Sequence, residues 1–217
     1  MTARTQKMSK DAQQAHDYLL QLGKLTVDFA HVERVPHYDI NHPENDVEHS
    51  FHLAISAMEL AANYHPELDV GLVAQFSLVH DLPEVYVGDV PTFDITDEKR
   101  AEKESAERVA TERLVKELPP HLGQLLKRYE DQIEPEARFV RLIDKLLPAV
   151  INMINPELSR VLFKRNYDVT TKEELDAGEP AKVARLVAMF PEYDFVHIIR
   201  EIVVTSLGER VFENETK

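Results

Sequence analysis

Apolar residues recur every three or four positions along most of the chain, which is typical of amphipathic helices. The first predicted helix begins near Asp11 and ends near Arg34, because Pro36 disfavours the α region at Val35. A loop is predicted over residues 36–44. The residues predicted to face the core from this helix are Ala15, Leu19, Leu22, Leu25 and Phe29.

The second and third predicted helices carry the clearest start signals. One runs from about Asn45 to Tyr64, and Glu48 lies three positions after Asn45, as in a capping box. The next begins after Asp69 and runs to His80; it is apolar nearly all round, so it is predicted to be the central helix. Their predicted core residues are Val47, Phe51, Ile55 and Met58, then Val70, Leu72, Val73, Phe76 and Leu78.

The rest of the chain continues the helical pattern, and no segment alternates clearly with a period of two. The sequence therefore predicts an all-α fold, a helical bundle with a C-terminal helical extension. We expect the bundle domain over residues 1–155 and the extension over residues 156–217, packed on the same domain. Further helices are predicted near 97–117, 121–131, 135–154, 157–166, 172–190 and 194–207, the first of them strongly charged and solvated.

Composition narrows the possible functions. The chain has 217 residues and a net charge of -14, which argues against binding to a nucleic-acid polymer or an anionic membrane. It has no cysteine, which excludes disulfides and thiolate metal sites. No apolar run is long enough to span a membrane, and the polar N-terminal stretch lacks the apolar segment of a signal peptide. The sequence therefore favours a cytoplasmic protein.

Polar residues end the central predicted helix abruptly. The apolar run stops at His80-Asp81, Glu84 follows within one helical turn, and Asp89 comes behind Gly88. In a helix, His80 and Glu84 would share one face. A buried imidazole beside two carboxylates needs a counter-charge, because unpaired buried charge is costly. A divalent cation would supply it.

Two further candidate ligands lie on other predicted helices. His49 is near the start of the second helix, and Asp144 lies inside the apolar run of 135–154. Together with His80 and Asp81 they offer two imidazoles and two carboxylates. That set suits a borderline or hard divalent ion with positions open to water, whereas a closed structural zinc site more often uses cysteine. Each of the four could instead be structural, as a helix end, a cap or a salt-bridge partner.

The dispersed order H…HD…D resembles the signature of the HD-domain metal-dependent phosphohydrolases. It is most similar to their 5'-deoxynucleotidase branch, which has an Arg, then E-N-x-x-E-H, then H-D-x-x-E-x-x-x-G-D. Here the matching stretches are Arg34, Glu44–His49 and His80–Asp89. The resemblance covers roughly residues 15–150. The branch usually has Trp after the Arg, where this chain has Val35.

This resemblance implies a role for each matching residue. The implied metal ligands are His49, His80, Asp81 and Asp144, for a divalent transition metal (Co²⁺, Mn²⁺, Zn²⁺, Fe²⁺ or Ni²⁺), or Mg²⁺ with a triphosphate substrate. Glu84 would orient or deprotonate the attacking water, Arg34 would hold the phosphate, and Asp89 would contact a sugar hydroxyl. Further candidates for substrate binding are Lys145, Val35 and His37.

The expected activity is removal of the 5'-phosphate from (deoxy)nucleoside monophosphates by a metal-activated water, in a protein that forms a homo-oligomer. One alternative is a triphosphohydrolase that releases triphosphate from a deoxynucleoside triphosphate with the same metal site. Two others belong to different classes: a catalytically silent nucleotide-binding module that keeps the fold, and a helical scaffold protein. The intact ligand set and Glu84 favour an enzyme.

Overall fold

The computed structural model describes residues 9–89, 96–176 and 179–212, and these ranges are mostly helical. The predicted all-α fold is confirmed, with one small hairpin added. The elements are α1 Lys10–Phe29, β1 Glu33–Asp39, β2 His42–Asn45, α2 Asp46–Tyr64, α3 Val70–Val79, α4 Glu84–Val87, α5 Asp97–Glu117, α6 Pro120–Asp131, α7 Pro135–Asp144, α8 Leu147–Ile154, α9 Pro156–Tyr167, α10 Lys172–Asp176, α11 Glu179–Met189 and α12 Asp194–Phe212.

The segment predicted as a loop over residues 36–44 is instead an antiparallel hairpin of β1 and β2. The first helix correspondingly ends at Phe29 and not near Arg34. The strands are short, each contains a proline, and their register shifts twice. Because such strands show no regular alternation of polar and apolar residues, the period-two signal is missing. The hairpin carries Arg34 towards the start of α2.

Helix α2 turns the opposite face to the core from the one predicted. Phe51, Ile55 and Met58 are exposed, the first by 64%. The buried face consists instead of small and medium residues, together with His49 and Ser50: Leu53, Ala54, Ala57 and Ala61. Alanines let α3 approach α2 closely, since the distance between helix axes depends on the side chains at the contact.

Helix α1 also contributes less to the core than predicted. Only Phe29 is buried, while Leu22 and Leu25 are partly buried against the core. Leu19 is 72% exposed, and Ala15 is exposed as well. The helix lies at the edge of the bundle, so that its last turns alone reach the interior.

Helix α3 is the central helix, as predicted. Val73 and Phe76 are completely buried, although Leu78 is half exposed. Its start is fixed by Asp69, whose Oδ1 accepts hydrogen bonds from the main-chain N–H of Gly71 and Leu72. Helices α2, α6 and α7 pack around α3, and one continuous hydrophobic core joins them.

The stretch predicted as one helix over 135–154 is two helices. Helix α7 ends at Asp144, and α8 begins at Leu147. Pro148 explains the break, because proline has no N–H to donate to the Asp144 carbonyl and its ring clashes with that turn. Within the predicted helix over 172–190, the structure describes the helices α10 and α11, and residues 177–178 lie outside the described ranges. The break at Pro148 leaves Asp144 at a helix end.

The C-terminal helices form a second, smaller core beside α8. Its buried members come from α8, α9, α10 and α12 and include Phe163, Leu175 and Val211. Partly buried Ile199 packs against both cores. Among the helices in the described ranges, none is both long and apolar enough to cross a membrane.

Candidate metal centre and side pocket

The four predicted metal ligands converge on one point between α2, α3 and α7. One ligand atom from each of His49, His80, Asp81 and Asp144 lies within 4.8 Å of all the others. His49 Nε2 is 3.0 Å from Asp144 Oδ1, and His80 Nε2 is 2.8 Å from Asp81 Oδ2. The Asp81 side chain keeps 19% of its surface exposed, while the other three keep 6% or less. The cluster is therefore open to water on the Asp81 side.

Helix ends bring these side chains together. The capping box of Asn45 and Glu48 fixes the first turn of α2, and His49 follows directly. His80 is the C-cap of α3, and Asp144 is the last residue of α7. A helix end is the natural place for a polar group in a buried region, because the side chain can point along the axis without interrupting the packed faces.

The ring of His80 is oriented as a metal ligand would be. Its Nδ1 lies 2.9 Å from the main-chain carbonyl of Ser77, so Nδ1 carries the proton and donates it. Metal-binding histidines commonly donate their second ring N–H to such a carbonyl. Nε2 is then directed at Asp81 Oδ2, 2.8 Å away. Two facing lone pairs fit a cation between them.

Glu44 supports the second histidine, a role that the sequence reasoning did not assign. Its buried Oε2 lies 3.4 Å from His49 Nδ1, and its Oε1 accepts a hydrogen bond from the Tyr38 hydroxyl. Although burial alone would lower the pKa of His49, Asp144 and Glu44 raise it to about 9. The imidazole thus lies between two carboxylates, in the arrangement in which a metal takes the place of a proton.

Arg34 lies in the middle of the acidic cluster. Its guanidinium donates to Asp81 at 2.8 Å and to Asp46 at 3.1 Å. Carboxylates of Glu44, Glu84 and Asp144 also lie within 4.0 Å of it. A single guanidinium charge cannot neutralise five neighbouring carboxylates.

The pKa values in the cluster show the same excess of negative charge. Burial and the carboxylates of Asp81 and Asp89 raise the pKa of Glu84 to about 11. Burial and Asp81 raise the pKa of Asp46 to about 6. Buried Oδ2 of Asp46 and Oε2 of Glu84 have no hydrogen-bond partner among the described residues. The donor set therefore fits a divalent cation, whose identity the geometry leaves open.

Lys103 is a second charged residue that the sequence reasoning missed. It comes from α5, which was expected to be a solvated surface helix. Its Nζ lies 3.9 Å from Glu84 Oε1 and 3.2 Å from Glu107 Oε1, and its side chain is only 15% exposed. In a helix of alternating charges, nothing distinguishes the one lysine that turns inward.

Glu84 and Asp89 are placed by the short helix α4. Glu84 begins α4, and Gly88 ends it with φ 73° and ψ 164°. That conformation is essentially open to glycine alone, which explains the glycine before Asp89. Asp89 shares a pocket with Arg34, so both predicted substrate-binding residues face the same space.

The remaining predicted substrate-binding residues are spread around the centre. Lys145 is half exposed and donates to Asp144 Oδ2 at 2.6 Å. Val35 lines the pocket that contains Arg34 and Asp89. His37 is partly buried on β1, with its ring Nδ1 2.7 Å from the main-chain carbonyl of Val35. The structure thus brings Lys145 to the metal side and Val35 to the pocket.

This pocket, here called the side pocket, opens beside the metal centre. It has a volume of about 140 Å³ and lies between β1 and the helices α8 and α9. We define it by Arg34, Val35, Asp89, Asn152, Ser159 and Tyr167. Its far wall comes from residues beyond 155, a part of the chain to which the sequence assigned no role.

The fold and the centre have counterparts among known proteins. Human 5'-deoxynucleotidase HDDC2 is 30% identical over 131 residues, which are 58% of this chain and 63% of that protein. The Xenopus laevis protein of the same name is 32% identical over 134 residues, 58% of this chain and 64% of its own length. The matched region thus spans just under two thirds of these relatives.

A solved structure extends the likeness to nearly the whole chain. The predicted metal-dependent phosphohydrolase from Magnetospirillum magnetotacticum has a TM-score of 0.69 and 25% identity, over 94% of this chain and 97% of its own. A conserved hypothetical protein from Pyrococcus furiosus shares the fold at a TM-score of 0.57 and 22% identity, over 86% of this chain and 98% of its own. The family model described as HD domain matches residues 29–183. The chain therefore belongs to the HD-domain family, the phosphohydrolase family that its H…HD…D motif resembles.

Proposed function

We propose that this protein removes the 5'-phosphate from (deoxy)nucleoside monophosphates. The observation that carries the proposal is the convergence of His49, His80, Asp81 and Asp144 on one point, with Glu84 and Arg34 at its edge. The names of the matched relatives support a nucleotide substrate. A divalent metal, when bound, supplies a Lewis acid and a water of lowered pKa.

Glu84 is the proposed proton acceptor for the attacking water. Its carboxylate lies at the edge of the centre, 3.8 Å from Arg34 and 3.9 Å from Lys103. Burial and the carboxylates of Asp81 and Asp89 raise its pKa, and a cation bound at Asp81 would lower it again and leave Glu84 able to accept a proton. A group of this kind can accept a proton from water and then donate it to the departing sugar oxygen.

Arg34 is the proposed ligand of the phosphoryl oxygens. In the structure, its guanidinium donates hydrogen bonds to the carboxylates of Asp81 and Asp46. A cation bound at these carboxylates would weaken their hydrogen bonds with the guanidinium. The guanidinium could then donate hydrogen bonds to two oxygens of the phosphate. Lys145, beside Asp144, adds a second positive charge on the metal side.

Asp89 is the proposed contact for the sugar. It lines the side pocket with Arg34, so a sugar attached to a phosphate at Arg34 would lie beside Asp89 at the entrance of that pocket. A carboxylate accepts hydrogen bonds from hydroxyl groups. The Gly88 turn fixes the direction in which it is presented.

The proposal is tested with a set of nucleoside mono-, di- and triphosphates incubated with Mn²⁺, Co²⁺, Zn²⁺ or Mg²⁺. Phosphate, pyrophosphate and triphosphate are measured separately. We expect phosphate from monophosphates to be the main product. Triphosphate released from deoxynucleoside triphosphates would instead establish the triphosphohydrolase. Binding without any product, at full metal occupancy, would establish the silent module.

A further inference from the structure

The side pocket lies where the nucleoside of such a substrate would extend. Arg34 and Asp89 form its mouth at the metal centre, and Val35 forms one wall. The opposite wall consists of Asn152 from α8 and Ser159 from α9. Because Arg34 lines this pocket, the rest of a molecule whose phosphate is held at Arg34 can extend into it. The inference developed here rests on the proposed function.

Most of the surface that lines the pocket is apolar. Pro36, Pro148, Leu162 and Phe163 supply ring and methyl surfaces on both sides of the space. Only a few polar groups, among them the Asn152 amide, interrupt them. Apolar walls with a small number of placed polar groups are the usual composition of a small-molecule site.

Ser159 contacts the side-chain amide of Asn152. The buried Ser159 Oγ lies 3.0 Å from the Asn152 main-chain carbonyl and 3.1 Å from its side-chain oxygen position. A hydroxyl has one hydrogen, so it can donate to only one of these atoms at a time. If the Ser159 hydroxyl donates to the main-chain carbonyl, it can accept a hydrogen bond from the Asn152 amide, which then has one N–H left. If the hydroxyl donates to the amide oxygen, both N–H groups of the amide are left. In either orientation of the amide, at least one N–H is not used by Ser159, and Asn152 lines the pocket.

The volume of the pocket matches a single six-membered ring. Its volume is about 140 Å³, and an apolar cavity of roughly 150 Å³ holds a ring of the size of benzene. A pyrimidine has one six-membered ring, whereas the fused rings of a purine need more space. Carbonyl groups on the pyrimidine edge can accept the hydrogen bond of the Asn152 amide. We propose that the side pocket binds the base of the nucleotide and favours a pyrimidine, with Asn152 and its partner Ser159 as the specificity-determining residues.

The test compares dCMP, dTMP, dAMP, dGMP and 2-deoxyribose 5-phosphate, which has the same scissile phosphate and no base. For the unaltered protein, kcat/KM for the pyrimidine nucleotides should exceed that for the purine nucleotides by at least about tenfold. It should exceed that for the baseless sugar phosphate as well. Equal values, within a factor of two, for all five compounds would overturn the proposal.

Asn152→Ala removes the side-chain amide that is proposed to bind the base. The ratio of kcat/KM for dCMP to that for 2-deoxyribose 5-phosphate should fall about threefold to tenfold, the scale of one lost hydrogen bond. Because a misfolded fraction lowers both values equally, the ratio reports the base contact alone. Asn166→Ala is the matched control, since exposed Asn166 on α9 contacts Arg165 and lies outside the pocket. A ratio that falls equally in both variants, or in neither, would contradict the assignment.

A binding measurement separates this inference from the proposed function. If no compound releases phosphate, hydrolysis is refuted, and the pocket is then judged by the Kd values of dCMP and dAMP from calorimetry. Tighter binding of dCMP, with the difference reduced in Asn152→Ala, would retain the base pocket. Equal binding of both nucleotides would exclude it.

Discussion

The metal centre and the side pocket are neighbours in space but arise from different kinds of sequence. The metal centre takes polar residues that interrupt buried helices, such as His80 after the apolar run of α3. The side pocket takes its walls from the hairpin, α8 and α9, where residues such as Leu162 and Phe163 resemble ordinary core. The predicted metal ligands therefore interrupt the apolar pattern of their helices, while the apolar residues that line the side pocket continue the pattern of theirs.

Because the two regions have different roles, we expect substitutions in them to have different effects. Changes in the metal centre should lower hydrolysis of every nucleotide by the same factor, because they act on the phosphate and the water. Changes in the side pocket should alter the choice among nucleotides. A metal-centre variant with altered base preference would contradict this assignment of separate roles to the two regions.

The largest effect is expected from Asp81→Ala. Loss of this ligand should remove most of the bound metal and lower kcat by at least about the hundredfold to thousandfold typical of losing a major electrostatic group. Metal content by elemental analysis and phosphate release provide the measurement. Asp131→Ala is the matched control, because Asp131 forms only an exposed pair with Lys127. Full metal occupancy in the Asp81 variant would refute its role as a ligand.

Glu84→Gln should keep the metal and the fold while lowering kcat by about a hundredfold or more, the usual scale for a general acid–base group. The substitution keeps the shape of the side chain and removes its ability to accept a proton. Glu157→Gln, on an exposed position of α9, controls for the chemical change itself. Turnover at the parental rate in Glu84→Gln would show that another group moves the proton of the water.

Arg34→Lys should lower kcat/KM by a similar factor for every nucleotide, of the order of tenfold, since an ammonium cannot reproduce the guanidinium fork. The control is Arg128→Lys, which replaces a surface arginine that pairs with Glu134 through two nitrogens. The measurement is kcat/KM for two purine and two pyrimidine nucleotides. If base preference changes in Arg34→Lys, the residue contacts the nucleoside and the phosphate role is wrong.

The smallest effect is expected from Asp89→Asn. An amide imitates a carboxylate only partly as an acceptor from a sugar hydroxyl, so the ratio between deoxyribonucleotide and ribonucleotide should change by about threefold to tenfold, the scale of one hydrogen bond. Matched ribo- and deoxyribonucleotides of the same base provide the measurement. An unchanged ratio would remove Asp89 from sugar recognition.

The sequence predicted the chemistry better than the packing. His49, His80, Asp81 and Asp144 were found because each interrupts an apolar helix, where an unpaired polar group would be costly. Helix α2 shows the limit: one face carries Phe51, Ile55 and Met58 and the other carries mainly alanines and leucines, so periodicity alone cannot choose between them. The position of His49 among the alanines and leucines was the available signal.

Other features had no local signal. The break after Asp144 follows from Pro148, which also reads as an acceptable start of a new helix. Lys103 reaches the centre through the tertiary packing of α5, and nothing in its neighbouring residues distinguishes it from a surface charge. Glu44 begins the E-N-x-x-E-H motif, but the motif alone does not indicate that its carboxylate contacts His49. The side pocket depends on how α9 packs against β1, which the sequence of either element alone does not determine.

The most direct test of the metal centre is a crystal structure of the protein grown with Mn²⁺, with anomalous data collected near the manganese edge. One strong anomalous peak is expected between His49 Nε2, His80 Nε2 and the carboxylates of Asp81 and Asp144. Its distance from each ligand atom should be roughly 2.0–2.3 Å, as for other divalent ions bound by nitrogen and oxygen. A peak elsewhere, with these four side chains still hydrogen-bonded to one another, would contradict the assignment of the metal centre.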